Sequence, residues 1–174
     1  AAAAERLLEA WSREGLDAVR RDHIALFVGP ARLLAPPYGS VYLDGQREIL
    51  GPSTLDVVRL YGEAGLQKAE SLKDAPDHVR VELDFLHVAI DRTLAAMAGG
   101  DGDGAEKLVA LQATFLQHHL GRWARPFAEV LRTGATTDYH RAVADVLEAV
   151  IRQEYVEDVP AMVEEFRAQR AAAN

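Results

Sequence analysis

Glycine and proline cut this chain into stretches whose apolar residues recur at intervals of three and four, and that spacing confines it to helices packed on helices. Leu16, Val19, Ile24, Leu26 and Phe27 mark one such stretch, and Gly29-Pro30 supplies the stop that ends it near Val28. Ser53 with Asp56 three residues later has the form of a helix start, and Gly65 suits the end, so a helix is expected over 54–64. Asp74 and Asp77 bracket Ala75-Pro76 and place acids and a proline in the first turn of a longer helix. Its stripe of Val79, Leu83, Leu86, Ile90, Leu94 and Met97 is widened by Val81, Phe85 and Val88, which predicts a central helix buried on two sides. Residues 99–104 read as a flexible connector. Leu108, Leu111, Phe115 and Leu116 then resume the pattern toward Trp123, Phe127 and Leu131, with a break expected at Gly121 or Pro126. Val143, Val146, Leu147, Val150 and Ile151 define another helix, and Pro160 opens a last one.

No segment shows a strand series, no repeat recurs at a fixed period, and no shift in composition marks a second domain. The fold class is therefore all-α: one irregular helical bundle of about seven helices spanning 1–174, a length that suits a single core. The segment 36–45 reads as an ordered loop rich in proline, tyrosine and glycine, with a short extended piece at 41–43.

No apolar run approaches the roughly 20 residues that cross a bilayer. Lysine and arginine number 19 against 27 acids, a net charge of -8 that repels phosphate backbones and suits a cationic ligand instead. The absence of cysteine removes disulfides, thiolate metal sites and cysteine nucleophiles. The chain opens on Ala1-Ala2-Ala3-Ala4-Glu5, without the basic flank and apolar stretch of a signal peptide, and its start is expected to be truncated.

The search for chemistry eliminates more than it finds. No phosphate-binding G-x-x-x-x-G-K-[ST] occurs, and Asp101-Gly102-Asp103 opens like a calcium loop but has Glu106 where a glycine and Gln112 where a glutamate is required. Asp84 and His87 stand at i, i+3, one copy of a pair that a carboxylate-bridged metal bundle needs twice together with two further glutamates, and they carry the alternative reading of a metal-dependent helical-bundle enzyme. The adjacent His118 and His119 point about 100° apart on a helix, and with His87 and His140 they read as packing or surface residues. Ser40 and Ser53 lack a nucleophile elbow. What remains is aromatic and polar chemistry at ordered breaks: two tyrosines and a serine on the stiffened 36–42 segment, and Asp77-His78 at the head of the long helix.

Leu26-Phe27-Val28-Gly29-Pro30, Pro36-Pro37-Tyr38-Gly39-Ser40-Val41-Tyr42, Pro76-Asp77-His78 and Phe115-x-x-x-His119-Leu120-x-x-Trp123, in that order, resemble the TorD/DmsD/NarJ family of redox-enzyme maturation chaperones over about 26–131. The resemblance implies an all-helical cytoplasmic chaperone with no enzymatic activity and no cofactor. Its implied partners are the twin-arginine leader and the apo catalytic subunit of a molybdenum-cofactor oxidoreductase, which it would hold back from export until cofactor insertion is complete. Leu26 and Phe27 match the family's Leu-Phe pair, Pro37, Tyr38 and Ser40 its proline-aromatic loop, and Asp77 with His78 its Asp-His signature. These residues are expected to line the leader site. Asp77 would supply the charge for the arginine pair, and His78 would orient Asp77 or donate to a leader carbonyl. Leu26, Phe27, Tyr38 and Tyr42 would form the apolar wall. Tyr38 stands where many relatives have tryptophan, and Asp22-His23 where many have Glu-Tyr. Only about 25 residues precede the Leu-Phe pair; relatives usually carry more helices there, which raises the expectation of an open face completed by a domain-swapped homodimer.

Overall fold

The computed structural model describes residues 2–29, 33–45 and 49–173. Pro30, expected to close the second helix, lies outside them. Along the described chain run α1 (Ala2–Arg13), α2 (Leu16–His23) with a π-helical turn (Ile24–Val28), α3 (Gly39–Leu43), α4 (Pro52–Glu63) and α5 (Val79–Ala98). They are followed by α6 (Gly102–His118), α7 (Leu120–Gly134), α8 (Asp138–Arg152), a second π-helical segment (Gln153–Asp158) and α9 (Val159–Ala173). The fold is all-α, and the one β-type contact among the described residues is an isolated antiparallel bridge between Tyr38 and His78.

Several boundaries depart from the expectation, most of them because a side chain takes over a helix end. The piece expected to be extended at 41–43 is helical, since the Asp77 carboxylate accepts the Ser40 N–H at 2.9 Å and caps α3 from outside. Ser53 is no N-cap: α4 begins one residue earlier at Pro52, and Asp44 accepts from the Ser53 N–H at 3.2 Å and the Ser53 hydroxyl at 2.9 Å. The long helix starts at Val79 rather than around Asp74, because His78 Nδ1 accepts the Arg80 N–H at 3.1 Å and so becomes the N-cap. The break after α6 falls at His119 (φ -130, ψ -101), so Gly121 and Pro126 both lie inside α7. Asp101 caps α6 through the Gly104 N–H, which draws three residues of the expected connector into the helix.

The chain divides into two compact units. The first comprises Ala1–Pro37 and Trp123–Arg152. In it α1 and α2 pack against α8, and Val19, Leu26, Trp123, Phe127, Leu131 and Leu147 are buried. Asp22, 3% exposed, reaches the turn before α8 and accepts from the backbone and hydroxyls of Thr136 and Thr137.

The second unit comprises Tyr38–Arg122 and Gln153–Asn174. Here α5 lies along α6, and α6 along α9. Its core sets Tyr61 at a tilt to Phe85 with ring centroids 4.7 Å apart and Phe85 edge to face with Phe115 at 4.8 Å, with Val57, Leu60, Val81, Leu86, Val109 and Leu116 around them. The expected burial of α5 on two sides is not found: its enclosed residues Val81, Glu82, Phe85, Leu86, Ala89 and Thr93 lie on one face, while Leu94 and Met97 of the expected stripe are exposed, because in its second half the small Ala89 and polar Thr93 rather than the longer apolar residues meet the neighbouring helices. No helix among the described residues is long and apolar enough to cross a membrane.

Candidate functional site

In the second unit the two motif segments 38–42 and 76–78, far apart in sequence, close into a single clasp. Tyr38 and His78 face each other across the antiparallel bridge, with ring centroids 5.2 Å apart and edge to face. The Gly39 N–H donates to the Asp77 carbonyl at 2.8 Å, and the Ser40 N–H donates to Asp77 Oδ2 at 2.9 Å. A carboxylate therefore sits at the positive end of α3, where it is worth roughly 0.5–2 kcal/mol. The Tyr61 hydroxyl donates to the Pro76 carbonyl at 2.8 Å and holds the turn from the core side.

Asp77 has no exposed surface. Its expected part, a charge offered directly to a leader arginine, is at odds with that burial: the carboxylate is the pin of the clasp, with Oδ1 inside and without a hydrogen-bond partner. Ser40 is likewise fully buried, its hydroxyl unpartnered beside the same pin. Tyr38, Tyr42 and His78 are half-buried and present part of their rings to solvent. Burial raises the Tyr42 phenol, and burial with the charges of Asp74 and Asp77 raises that of Tyr38, so both remain protonated donors. For His78, burial and Arg80 outweigh the pull of Asp74 and Asp77 and hold the imidazole below 6.5. It is neutral at pH 7, with Nδ1 committed to Arg80 and Nε2 as its N–H.

The carboxylate that reaches the surface here is Asp74, whose side chain is 33% exposed and lies 3.5 Å from Arg80. Its charge acts on both Tyr38 and His78. Sequence reasoning gave Asp74 only a helix-dipole role, because nothing local says that the turn folds its side chain toward the tyrosine loop.

The remaining expected site residues belong to the first unit. Leu26, in the π-helical turn, is completely buried, and its carbonyl accepts the Ala35 N–H at 3.0 Å. Phe27 is half-buried and packs its ring on His23 at 5.0 Å and on His140 at 6.0 Å. Pro37 is buried at the end of that unit's first segment. Asp84 and His87 both face solvent, and no group of three or more potential metal ligands occurs among the described residues.

Two buried polar pairs escaped the sequence reading. Glu82 and His119 are 0% and 2% exposed, with His119 Nδ1 at 2.9 Å from Glu82 Oε1 in the geometry of an ion pair rather than a linear hydrogen bond. His140 Nδ1 lies 3.0 Å from Asp22 Oδ2. The available signal was a carboxylate inside the stripe of Val81, Phe85 and Leu86, and a histidine four residues after the buried Phe115. His118 and His87 are exposed, as surface histidines are expected to be.

With this geometry in place, comparison with known proteins gives a consistent result. The nitrate reductase delta subunit family matches residues 1–129. The chain is similar to a probable Tat proofreading chaperone DmsD of Haemophilus influenzae, 32% identical over 68% of this chain and 51% of that protein. It is 29% identical to the chaperone protein TorD of Vibrio parahaemolyticus over 72% of this chain and 57% of the relative. The Tat proofreading chaperone DmsD of Salmonella typhi is 28% identical over 86% of this chain and 60% of its own length. The chain thus spans between half and three fifths of the curated relatives it matches. The match across residues 1–129 takes in the Leu-Phe pair, the proline-tyrosine loop, the Asp-His turn and the break at His119, and by it the chain belongs to the nitrate reductase delta subunit family, the TorD/DmsD/NarJ family its motifs resemble.

Proposed function

We propose that this protein is a cytoplasmic, non-enzymatic chaperone that binds the twin-arginine leader and the apo form of a molybdenum-cofactor oxidoreductase subunit, assisting cofactor insertion and delaying export. The observation that carries this reading is the clasp itself, in which two family motifs fold together and leave Tyr38, His78 and Asp74 at its rim. A guanidinium lying on the Tyr38 ring gains a cation–π contact while the Asp74 carboxylate accepts its paired N–H groups. His78 Nε2–H is a donor for a leader carbonyl. The neighbouring α4 packs against α3 and leaves Leu55 and Val58 exposed, an apolar surface suited to the segment that follows an arginine pair. Asp77 acts through this arrangement as a positioning residue. Leu26, with no exposed surface, supports the first unit's core, and Phe27 offers part of its ring.

Calorimetric titration with a peptide carrying the leader tests the reading. Replacing both leader arginines by alanine abolishes binding, and Asp74→Asn or Tyr38→Ala each weaken it by roughly ten- to a hundredfold, the value of a charge-assisted contact. Undiminished affinity for the alanine leader, or in both variants, refutes it. The enzyme reading based on Asp84 and His87 gains no support from their exposed, unclustered placement.

A further inference from the structure

The clasp closes a circuit of contacts that runs through the buried ion pair. From Asp77, which holds the Ser40 N–H, the chain passes to His78, whose carbonyl accepts the Glu82 N–H at 3.0 Å. Glu82 meets His119 Nδ1 at 2.9 Å, and His119 Nε2 lies 3.0 Å from the Ser53 carbonyl. Ser53 is fixed to the Asp44 carboxylate, and the Asp44 N–H donates to the Ser40 carbonyl at 3.1 Å. The ring thus joins α3, α4, α5 and the break after α6, and returns to the residue the clasp grips.

We propose that His119 is a positioning residue for the clasp: its imidazole, held on both nitrogens, braces the start of α4 against α5 and thereby keeps Ser40 seated on Asp77. What the clasp binds rests on the function proposed above; the brace itself does not.

Both ring nitrogens face acceptors. The Ser53 carbonyl can only accept, so Nε2 carries a proton, and the contact with Glu82 needs a second. The seated state is therefore the doubly protonated one. Burial acts against that charge, but the close contact and charge of Glu82, the Ser53 carbonyl and the charge of Asp77 overcome it and raise the imidazole above its usual 6.5. Glu82 on α5 and Asp77 in the turn before it are the charged groups acting on the ring; from α4 it meets the Ser53 carbonyl, and from α6 the parallel Phe115 ring at 6.1 Å. Tyr61, also on α4, lies in the field of the same two carboxylates and stays neutral, its phenol raised by burial. The sign follows: the brace is complete at and below pH 6.5 and is lost as pH rises through the folded-state titration of His119.

Amide hydrogen exchange on the full, leader-free chain tests this. Corrected for intrinsic rates, protection of the Gly39 and Ser40 amides falls between pH 6 and 9 by about tenfold for each unit by which the pair raises the imidazole, while mid-helix amides of α8 hold their protection. His119→Gln keeps a donor for Ser53 but carries no charge, and Glu82→Gln removes the partner; either leaves Ser40 weakly protected and independent of pH. Should His119→Gln fail to fold, Glu82→Gln and the wild-type profile decide. The proposal is overturned if wild-type Ser40 protection tracks that of α8 across the range, or if the folded variants keep wild-type protection. A brace that behaves as expected in a protein blind to the leader peptide overturns the functional reading alone.

Discussion

Asp22 offers the sharpest energetic test, because its carboxylate is almost fully enclosed by donors. Oδ1 accepts from the Thr136 N–H at 3.0 Å and hydroxyl at 2.9 Å; Oδ2 accepts from the Thr137 N–H at 2.9 Å and hydroxyl at 2.5 Å, and faces His140 Nδ1 at 3.0 Å. Burial alone raises the carboxyl, but the threonine hydroxyls and amides outweigh it and bring it from 3.8 down to about 2. Burial holds His140 below 6.5 despite Asp22, so at neutral pH the imidazole is neutral and the acid ionised. This corresponds to roughly 2 kcal/mol of stability. Because the folded value is the lower one, the contribution is complete well above pH 3.8 and disappears as pH falls through about 2.

Asp22→Asn keeps the shape, removes the charge and turns an NH2 group toward the threonine donors. It is expected to cost roughly 2 kcal/mol or more at pH 7, which for a chain of this length lowers Tm by roughly 5–10 °C. Urea unfolding followed by circular dichroism at pH 7 and pH 3 measures it, and the gap between variant and wild type shrinks to about half at pH 3, where the unfolded state already binds the proton. A gap below about 0.5 kcal/mol at pH 7, or one that does not narrow at pH 3, refutes the account of Asp22 as an ionised cap.

Two further substitutions probe the second unit. Gly121→Ala places a Cβ against the Leu116 carbonyl, a backbone atom with little room to move, and is expected to destabilise by about 1–3 kcal/mol in a thermal melt; a wild-type Tm contradicts so close an approach of the two backbones. Tyr61→Phe removes the hydroxyl that holds the Pro76 carbonyl and is expected to cost about 1 kcal/mol and weaken exchange protection at His78, whose N–H donates to the Ala75 carbonyl across the same turn. Loss of stability without any change at His78 contradicts Tyr61 as the support of that turn.

Leu26 and Phe27 illustrate how unevenly the site could be read from residues alone. Both lie on an apolar stripe that predicts a helix, and the helix is there, but the stripe does not say that Leu26 is fully enclosed while Phe27 keeps part of its ring at the surface. The loop at 36–45 was legible as ordered, since proline and glycine restrict it locally. Its helical end was not, because the cap that makes Gly39–Leu43 a helix arrives from Asp77, 37 residues away.

The sequence by itself determined the fold class, the approximate helices and the pairing of motifs that marks the family, because periodicity and stop residues act within a turn or two of the chain. Only the tertiary structure decided what the charged and polar residues do: that Asp77 is a pin, Asp74 the acid at the rim, Asp22 a cap for a turn 114 residues on, and His119 a brace tied to Ser53 across 66 residues. A carboxylate or an imidazole takes its role from the groups within a few ångströms of it, and those groups are brought there by packing that no local pattern records.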